Sequence, residues 1–281
     1  MILVADSGST NTDWIIINQN KIFGEFRTSG FNPYFTNGNE IKSELNLKFP
    51  SAIASQEVSK IFFYGSGCSS HDMKKIIYEG LNIFFKNATI EVNHDLLGTA
   101  RAMFGNEKGI AVILGTGANT GLYNGEKIIQ NIPSLGFILG DEGGGDYLGK
   151  LFITEYLYGN LPEPLANHFY KTFEFSNNQL LHKIYKEPYP NRFLASLSKF
   201  VLDNQAEPFL AELIKKSFQD LFDKHITRYK NYSSYKVRIS GSIAFYFEEF
   251  IKEAGTEFDA KIDLIEKSPI TRMALYHIKN E

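Results

Sequence analysis

The sequence predicts an α/β protein of two lobes, each built on a five-stranded mixed sheet with helices on both faces. Two observations support this prediction. A strand-turn-strand-turn-strand pattern opens the chain near Ile2 and restarts near Gly109, and helices follow both openings. The chain has 281 residues, of which 43% are hydrophobic, so it can bury the cores of two ordinary domains.

In the first half, short apolar runs alternate with polar turns and then with helical periodicity. We expect three strands, at residues 2–5, 14–17 and 22–26, that pair as an antiparallel meander. The elements expected next are a helix at 39–49, a strand at 61–64, a helix at 71–85, a strand at 88–92 and a helix at 96–104.

The second half repeats this opening. Strands are expected at 110–114, 120–123 and 127–130, the last two around the Asn124-Gly125 turn, and helices come after them, including one at 148–158. A strand at 237–239 then leads into a helix at 243–252. Since the Gly105-Asn106 break precedes the restart, we place the lobes at 1–105 and 106–281. The second lobe would carry a helical insertion, and the C-terminal helix could pack back on the first lobe.

Composition and charge exclude several classes of function. The net charge is −3, with no block of like charge, which argues against nucleic acid as the main partner. The single cysteine excludes an intramolecular disulfide, and the start of the chain lacks the features of a secretory signal. No apolar run approaches the roughly 20 residues that span a bilayer. We therefore expect a cytoplasmic protein that binds neither nucleic acid nor membranes.

Each half offers a strand that ends in a turn of small residues, DSGST at 6–10 and GTGANT at 115–120. Glycine lets a backbone approach a ligand closely, and exposed N–H and hydroxyl groups donate to phosphate oxygens. Either turn alone could be an ordinary hairpin turn, but two of them, each after a buried strand, favour phosphate binding. The sequence contains neither a Walker A motif nor a G-x-G-x-x-G motif, so a nucleotide would be bound by another arrangement.

Three further features allow both a structural and a functional interpretation. Asp95 precedes a helix and could cap it, with His94 beside it as a hydrogen-bonding group. Five glycines surround Asp141 and Glu142, either in a ligand loop or in a flexible surface loop capped by Asp146. The strand-glycine-helix junction at 240–242 could be structural or could contact a ligand.

These features resemble a known superfamily. The segment 6–13, the turn at 115–117 and the junction at 240–242 resemble the two phosphate loops and the adenosine loop of the actin, hexokinase and heat-shock chaperone ATPases. The chain is most similar to the N-acetylglucosamine kinase family and the related ATPases that activate benzoyl-CoA reductase. The similarity covers nearly the whole chain, including Asn32-Pro33, Asp95 and the specific stretch LGFILGDEGG at 135–144. It implies two ribonuclease H-like lobes around a central cleft.

The resemblance also implies roles for individual residues, with ATP and Mg²⁺ as cofactors. Asp95 would be the general base, and Asp6 would contact magnesium through water. Nucleotide binding is implied for Asp6, Gly8, Ser9, Thr10, Thr12, Gly115, Thr116, Gly117, Gly241 and Ser242. Sugar binding is implied for Asn32, Ser66, Ala118, Asn119, Ser134, Leu135, Gly136 and Asp141. Some family members have Trp at the position of Leu135, so this chain lacks that stacking surface.

The resulting expectation is an ATP-dependent kinase that phosphorylates an N-acetylated amino sugar, such as N-acetylglucosamine or N-acetylmuramate, and that could form a homodimer. The alternative is an ATPase that activates or regulates a partner protein without phosphorylating a sugar. The iron–sulfur version of that alternative needs two thiolates from each subunit, and Cys68 is the only cysteine. A third possibility is a nucleotide-binding regulatory protein without catalysis, against which the presence of Asp95 and Asp141 argues.

Overall fold

The computed structural model describes residues 1–280, which form two compact units. The first unit contains residues 1–107, 123–128 and the described residues from Ser268 onward, and the second contains 108–122 and 129–267. Each unit is built around a five-stranded sheet with helices packed on it. The predicted α/β class with two five-stranded lobes is therefore confirmed.

The first sheet confirms the predicted meander. Its strands are β1 (Ile2–Ser7), β2 (Asn11–Asn18), β3 (Lys21–Ser29), β4 (Lys60–Gly65) and β5 (Thr89–His94). They lie in the order β3-β2-β1-β4-β5, with antiparallel pairing among the first three and parallel pairing along β1-β4-β5. The sheet is thus mixed, and the parallel strands end at one edge.

Helices cover both faces of this sheet. They are α1 (Gly38–Lys48), α2 (His71–Phe84), α3 (Asp95–Phe104) and the C-terminal helix (Ile270–Asn280). Side chains of a strand point alternately to its two faces, so Leu3 of β1 joins the core under α1 and α2, whereas Val4 joins the core under the C-terminal helix. A 3₁₀ turn at Ser55–Glu57 precedes β4.

The second sheet repeats the arrangement of the first. Its strands are β6 (Gly109–Leu114), β7 (Ala118–Tyr123), β8 (Ile128–Ile132), β9 (Lys236–Ser240) and β10 (Lys261–Glu266). They lie in the order β10-β9-β6-β7-β8, so β6 takes the central place that β1 has in the first sheet. The parallel neighbours are β6, β9 and β10. The predicted restart of the fold near Gly109 is confirmed.

Eight helices belong to the second sheet's part of the described chain. They are α4 (Gly136–Leu139), α5 (Gly145–Leu157), α6 (Glu163–Phe173), α7 (Asn177–Tyr185), α8 (Pro190–Asp203), α9 (Pro208–Lys224), α10 (Ser242–Tyr246) and α11 (Glu248–Glu257). The single helix predicted at 243–252 is wrong, because the buried Phe247 has φ −109° and ψ 26° and separates α10 from α11. 3₁₀ turns occupy Ile226–Arg228 and Tyr232–Ser234. Within residues 1–280, no helix combines the length and the apolar character needed to cross a membrane.

Candidate active site

The ends of three parallel strands bring predicted site residues of the first unit to one edge. Ser7 at the end of β1 lies opposite Gly65 of β4, and Gly65 lies opposite His94 of β5. Asp6 lies on β1 one residue before its end, Ser66 follows β4, and Asp95 follows β5. The carboxyl ends of parallel strands are the usual place for ligands in α/β proteins. The structure therefore places these three residues together where the sequence predicts a site.

The turn after β1 is fixed from inside the sheet. The buried Thr12 hydroxyl bonds to the Ser7 hydroxyl at 2.8 Å and donates to the carbonyl of Ser29 at 2.9 Å. The backbone N–H of Ser66 donates to the carbonyl of Ser7 at 2.8 Å. Gly8 and Thr10 are exposed at the tip of the turn. Thr12 thus holds the turn in place, while the tip presents backbone groups outward.

The segment after β3 packs against this turn and against the turn after β4. A Cβ on Gly30 would lie 2.4 Å from the carbonyl oxygen of Gly8, so the two backbones are in close contact. The buried Asn32 accepts a hydrogen bond from the N–H of Tyr34 at 3.0 Å. A Cβ on Gly67, which has φ +81°, would lie 2.8 Å from Oδ1 of Asn32. Asn32 therefore belongs to the same group of turns as Ser66.

Asp95 is the first residue of α3, and the helix is capped by the residue before it. The ring nitrogen Nδ1 of His94 accepts the N–H of Leu97 at 3.1 Å. Burial, the largest cause, lowers the pKa of His94 to about 4, so the ring is neutral and can accept. The interpretation of Asp95 as the N-cap is wrong because His94 fills that position. The carboxylate of Asp95 accepts the adjacent N–H of Leu96 at 2.8 Å.

Two carboxyl groups of this edge have raised pKa values. Burial, followed by the charges of Asp95 and Asp13, raises the pKa of Asp6 to about 7. Burial also raises the pKa of Asp95 to about 6, although the N–H of Leu96 opposes the rise. A carboxylate with a pKa near 6 is suited to accept a proton at neutral pH. Two half-buried carboxyl groups of like charge are also an environment that a bound cation would stabilise, so Asp6 fits the water-mediated magnesium contact that the resemblance implies.

A buried polar network that no local sequence pattern indicates fixes α3. The hydroxyl of Tyr64 bonds to Nε2 of His277 at 2.9 Å and accepts a hydrogen bond from Arg101 at 2.8 Å. A Cβ on Gly98 would lie 2.5 Å from the Tyr64 ring, so α3 packs directly on that ring. The sequence does not predict these contacts, because the residues involved are far apart along the chain. The network joins the helix that begins at Asp95 to β4 and to the C-terminal helix.

In the second unit, the ends of β6 and β9 bring two predicted loops together. These strands are parallel neighbours, and the turn at 115–117 follows β6 while Gly241 and Ser242 follow β9. Gly241 has φ +123°, and a Cβ there would lie 2.1 Å from the carbonyl oxygen of Leu114. Only glycine fits such a position. The structural role of Gly241 is therefore established, and it places Ser242 next to the end of β6.

The start of α5 is bonded to the turn at 115–117. The N–H of Gly145 donates to the carbonyl of Gly115 at 2.9 Å, and the N–H of Asp146 donates to the carbonyl of Thr116 at 2.8 Å. The helix begins at Gly145 with Gly144 as its N-cap. Residues 140–149 are all buried. The interpretation of this stretch as a flexible surface loop capped by Asp146 is wrong, because the glycines pack it against the turn.

The glycine-rich stretch folds Asp141 onto the same turn. Asp141 has φ +62°, an uncommon conformation for a residue other than glycine, and its side chain is buried. Its Oδ1 accepts the hydroxyl of Ser134 at 2.6 Å and the N–H of Ala118 at 3.4 Å. A Cβ on Gly117 would lie 2.6 Å from its Oδ2. The structure therefore brings Asp141, Ser134 and Ala118 together beside the turn.

Glu142 anchors this stretch to α9 through partners that the sequence does not predict. Its carboxylate lies 3.1 Å from Nε2 of the buried His225 and 3.2 Å from Nζ of Lys224. Burial alone would raise the pKa of Glu142, but the hydrogen bonds from His225 and Lys224 lower it. A Cβ on Gly143, which has φ +81°, would lie 3.0 Å from Cβ of Leu221. These contacts fix the backbone next to Asp141, so the position of its carboxylate does not depend on Ser134 alone.

The remaining predicted sugar residues lie at the margin of this group. Oδ1 of Asn119, on β7, accepts a hydrogen bond from Asn131 at 2.9 Å. Gly136, with φ +73°, begins α4, and the side chain of Leu135 before it is exposed. Leu135 therefore offers an apolar surface to solvent at the place where some family members carry Trp.

The two sheets have the same strand order, and in each of them a turn of small residues follows the central strand. This arrangement is the fold of the actin/hexokinase-type ATPases. No protein-family model matches the chain, and no curated protein matches its sequence. Among solved structures, a candidate N-acetylglucosamine kinase from Porphyromonas gingivalis matches with TM-score 0.95 and 36% identity, covering 100% of this chain and 99% of that one. The chain therefore belongs to the N-acetylglucosamine kinase family.

Two more distant structures share the fold. A candidate N-acetylglucosamine kinase from Chromobacterium violaceum matches with TM-score 0.73 and 16% identity, covering 98% of each chain. A ROK family glucokinase from Streptomyces griseus, in complex with glucose and AMPPNP, matches with TM-score 0.57 and 12% identity, covering 99% of this chain and 98% of that one.

Proposed function

We propose that the protein is an ATP-dependent kinase that phosphorylates an N-acetylated amino sugar such as N-acetylglucosamine or N-acetylmuramate. The observation that carries the proposal is the 36% identity, over the full length of both chains, to a candidate N-acetylglucosamine kinase. The grouping of predicted site residues at the sheet edges supports it, because the same residues on scattered surfaces would not form a site.

In this proposal the nucleotide is held mainly by backbone groups of the small-residue turns. N–H groups and hydroxyls at 8–10 and at 115–117 bind the phosphates, and the junction at 241–242 contacts the adenosine. Asp6 holds Mg²⁺ through water. When bound, the ion neutralises charge on the phosphate oxygens.

The chemistry is assigned to Asp95 and the sugar contacts chiefly to Asp141. The Asp95 carboxylate takes the proton from a sugar hydroxyl, the hydroxyl oxygen forms a bond to the γ-phosphorus, and the bond from phosphorus to the bridging oxygen of ADP breaks. With a pKa of about 6, Asp95 is mostly ionised at neutral pH and can act as a base. Asp141 accepts hydrogen bonds from sugar hydroxyls, and Asn32, Ser66, Asn119 and Ser134 add polar contacts.

The test is ADP formation from ATP and Mg²⁺ with and without a panel of N-acetylglucosamine, N-acetylmuramate, N-acetylmannosamine and glucose. We expect an N-acetylated sugar to stimulate ADP formation strongly and to appear as a phosphate ester by mass spectrometry. Asp95→Asn is the matched control, since it keeps the size of the side chain and the turns that bind ATP. Hydrolysis at one rate with every sugar and without sugar would contradict the kinase and favour an ATPase that acts on a partner protein. No hydrolysis at all would favour a binding protein.

A further inference from the structure

The proposed function leaves one buried carboxyl group without a role. Asp146, the second residue of α5, has only 1% of its surface exposed. Both of its carboxyl oxygens are buried, and neither accepts a hydrogen bond from any described residue within 1–280. A buried carboxylate without a donor is costly, so such a group either binds a ligand or keeps a proton.

The titratable groups that act on Asp146 come from two elements. From the glycine-rich stretch, Asp141 acts on it through its charge and as a hydrogen-bond partner. Both side chains are buried, and both residues lie against the turn at 115–117. From α5 itself, the backbone N–H of Tyr147 and the charge of Lys150 oppose the rise in the pKa of Asp146, although the N–H does not reach hydrogen-bond geometry. The Lys150 ammonium donates to the carbonyl of Phe137 at 2.9 Å and is thus engaged elsewhere. The turn at 115–117 has no titratable side chain and contributes backbone groups.

The pair of Asp141 and Asp146 can hydrogen-bond only if one of the two carboxyl groups holds a proton. Ionised carboxylates are acceptors only, so two of them in contact repel each other. Asp141 already accepts two hydrogen bonds, from the hydroxyl of Ser134 and from the N–H of Ala118. Asp146 has no such side-chain donor. Burial, followed by the charge of Asp141, raises the pKa of Asp146 to about 8.

We propose that Asp146 is a positioning residue of the sugar site, a protonated carboxyl group that donates a hydrogen bond to Asp141 and holds it as a single, fixed negative acceptor. The part that concerns the sugar rests on the proposed function. The part that concerns the proton is a property of the free protein. Loss of the proton would place two buried negative charges side by side against the turn at 115–117, and the Asp141 carboxylate would have to move.

Thermal unfolding of the free protein between pH 4.5 and 9 tests whether folded Asp146 holds a proton. Folded Asp146 keeps a proton that an unfolded aspartate releases near pH 4, so this residue makes stability fall as pH rises from about 4 to about 8. Asp146→Asn removes that fall, because an amide does not titrate. We therefore expect the melting temperature of the variant minus that of the wild type to increase with pH and to level off above about pH 8.

Asp220→Asn is the matched control, because its carboxylate accepts the hydroxyl of Tyr147, the neighbour of Asp146 on α5. We expect its difference from the wild type to stay constant over this pH range. Asp146→Ala replaces the Asn variant if that one does not fold. A pH-independent difference for the Asp146 variant would overturn the proposal. So would a stabilisation of the wild type by Mg²⁺, Ca²⁺ or K⁺ that Asp146→Asn abolishes, since the pair would then hold a cation.

The effect on the sugar is tested with the KM for N-acetylglucosamine between pH 6.5 and 9. If only the protonated form binds sugar well, the KM of the wild type rises about tenfold one pH unit above the pKa of Asp146, whereas that of Asp146→Asn changes less than about twofold. An equal rise in both proteins would overturn the role at the sugar site. Failure of the proposed function is distinguishable, because the wild type would then form no sugar-dependent ADP at any pH while the unfolding experiment still decides on the proton.

Discussion

The close contact between Gly117 and Asp141 predicts that one methyl group added at Gly117 changes sugar binding. In Gly117→Ala, the added Cβ would lie 2.6 Å from Oδ2 and 2.8 Å from Cγ of Asp141. An ordinary contact begins at 3.4 Å, so the carboxylate has to move by about 0.8 Å. The turn itself cannot easily yield, because a Cβ on Gly144 would lie 2.8 Å from the Cα of Gly117 on its other side.

The size of the effect can be estimated from the hydrogen bonds of Asp141. The Ser134 hydroxyl lies 2.6 Å from its Oδ1, and a shift of about 0.8 Å lengthens this bond beyond the usual range for hydroxyl donors. A hydrogen bond to a charged group contributes about 1.5–3 kcal/mol. If Asp141 is the sugar acceptor, its displacement should raise the KM for the sugar roughly 10- to 150-fold.

The assay is steady-state kinetics with each substrate varied in turn, on variants whose folding is confirmed by circular dichroism. Gly115→Ala is the matched control in the same turn. A Cβ at Gly115 would meet nothing within 4 Å, and its φ lies outside the left-handed region. We therefore expect the KM for the sugar to stay within about twofold of the wild type in Gly115→Ala. A folded Gly117→Ala protein with an unchanged KM for the sugar would refute the assignment of Asp141.

Three further predictions concern the first unit. In Asp95→Asn the amide cannot take the hydroxyl proton, so kcat should fall by roughly 10²- to 10⁴-fold while the ATP dissociation constant, measured by calorimetry, changes little. In Asp6→Asn, studied with a chelator, the melting temperature should exceed that of the wild type at pH 8 but not at pH 4. The reason is that folded Asp6, with a pKa of about 7, keeps a proton that the unfolded chain releases. In Tyr64→Phe, Arg101 and His277 lose the hydroxyl between them, which should cost about 1–3 kcal/mol of unfolding free energy in urea titrations. Equal stability of the Phe variant would mean that water replaces the hydroxyl.

Local sequence patterns predict nine of the ten strands because those strands are short, apolar and bounded by turns. The restart near Gly109 is visible for the same reason, and the common strand order of the two sheets is consistent with it. The strand β10 is not predicted, because charged residues alternate with its apolar ones. The break at Phe247 could not be predicted, because it depends on burial of that ring rather than on a proline or glycine in the sequence. The helix α3 begins at Asp95, one residue before the predicted start. The sequence does not indicate this start, because a neutral histidine is an uncommon N-cap.

The sequence indicates those candidate site residues that lie in turns of small residues after strands. Such turns can be read directly from the sequence, and they lie together because the strands before them are parallel neighbours. Side chains that pack against the candidate site from the interior of the protein could not be found in this way. His225 meets Glu142 across 83 positions, and His277 meets Tyr64 across 213. Such contacts depend on tertiary packing, for which a single sequence carries no periodic signal.

The two units place different groups at equivalent sheet edges, and the difference lies in the segment that comes after each strand. The turns after the central strands β1 and β6 are alike in composition. After β5, however, α3 begins with Asp95, whereas in the second unit the acidic group comes from the glycine-rich stretch before α5. Both edges hold carboxyl groups in pairs, Asp6 with Asp95 and Asp141 with Asp146, and desolvation raises three of their pKa values. A sheet edge selected only for stability would avoid these pairs, so their presence in both units supports the proposed roles in binding and proton transfer.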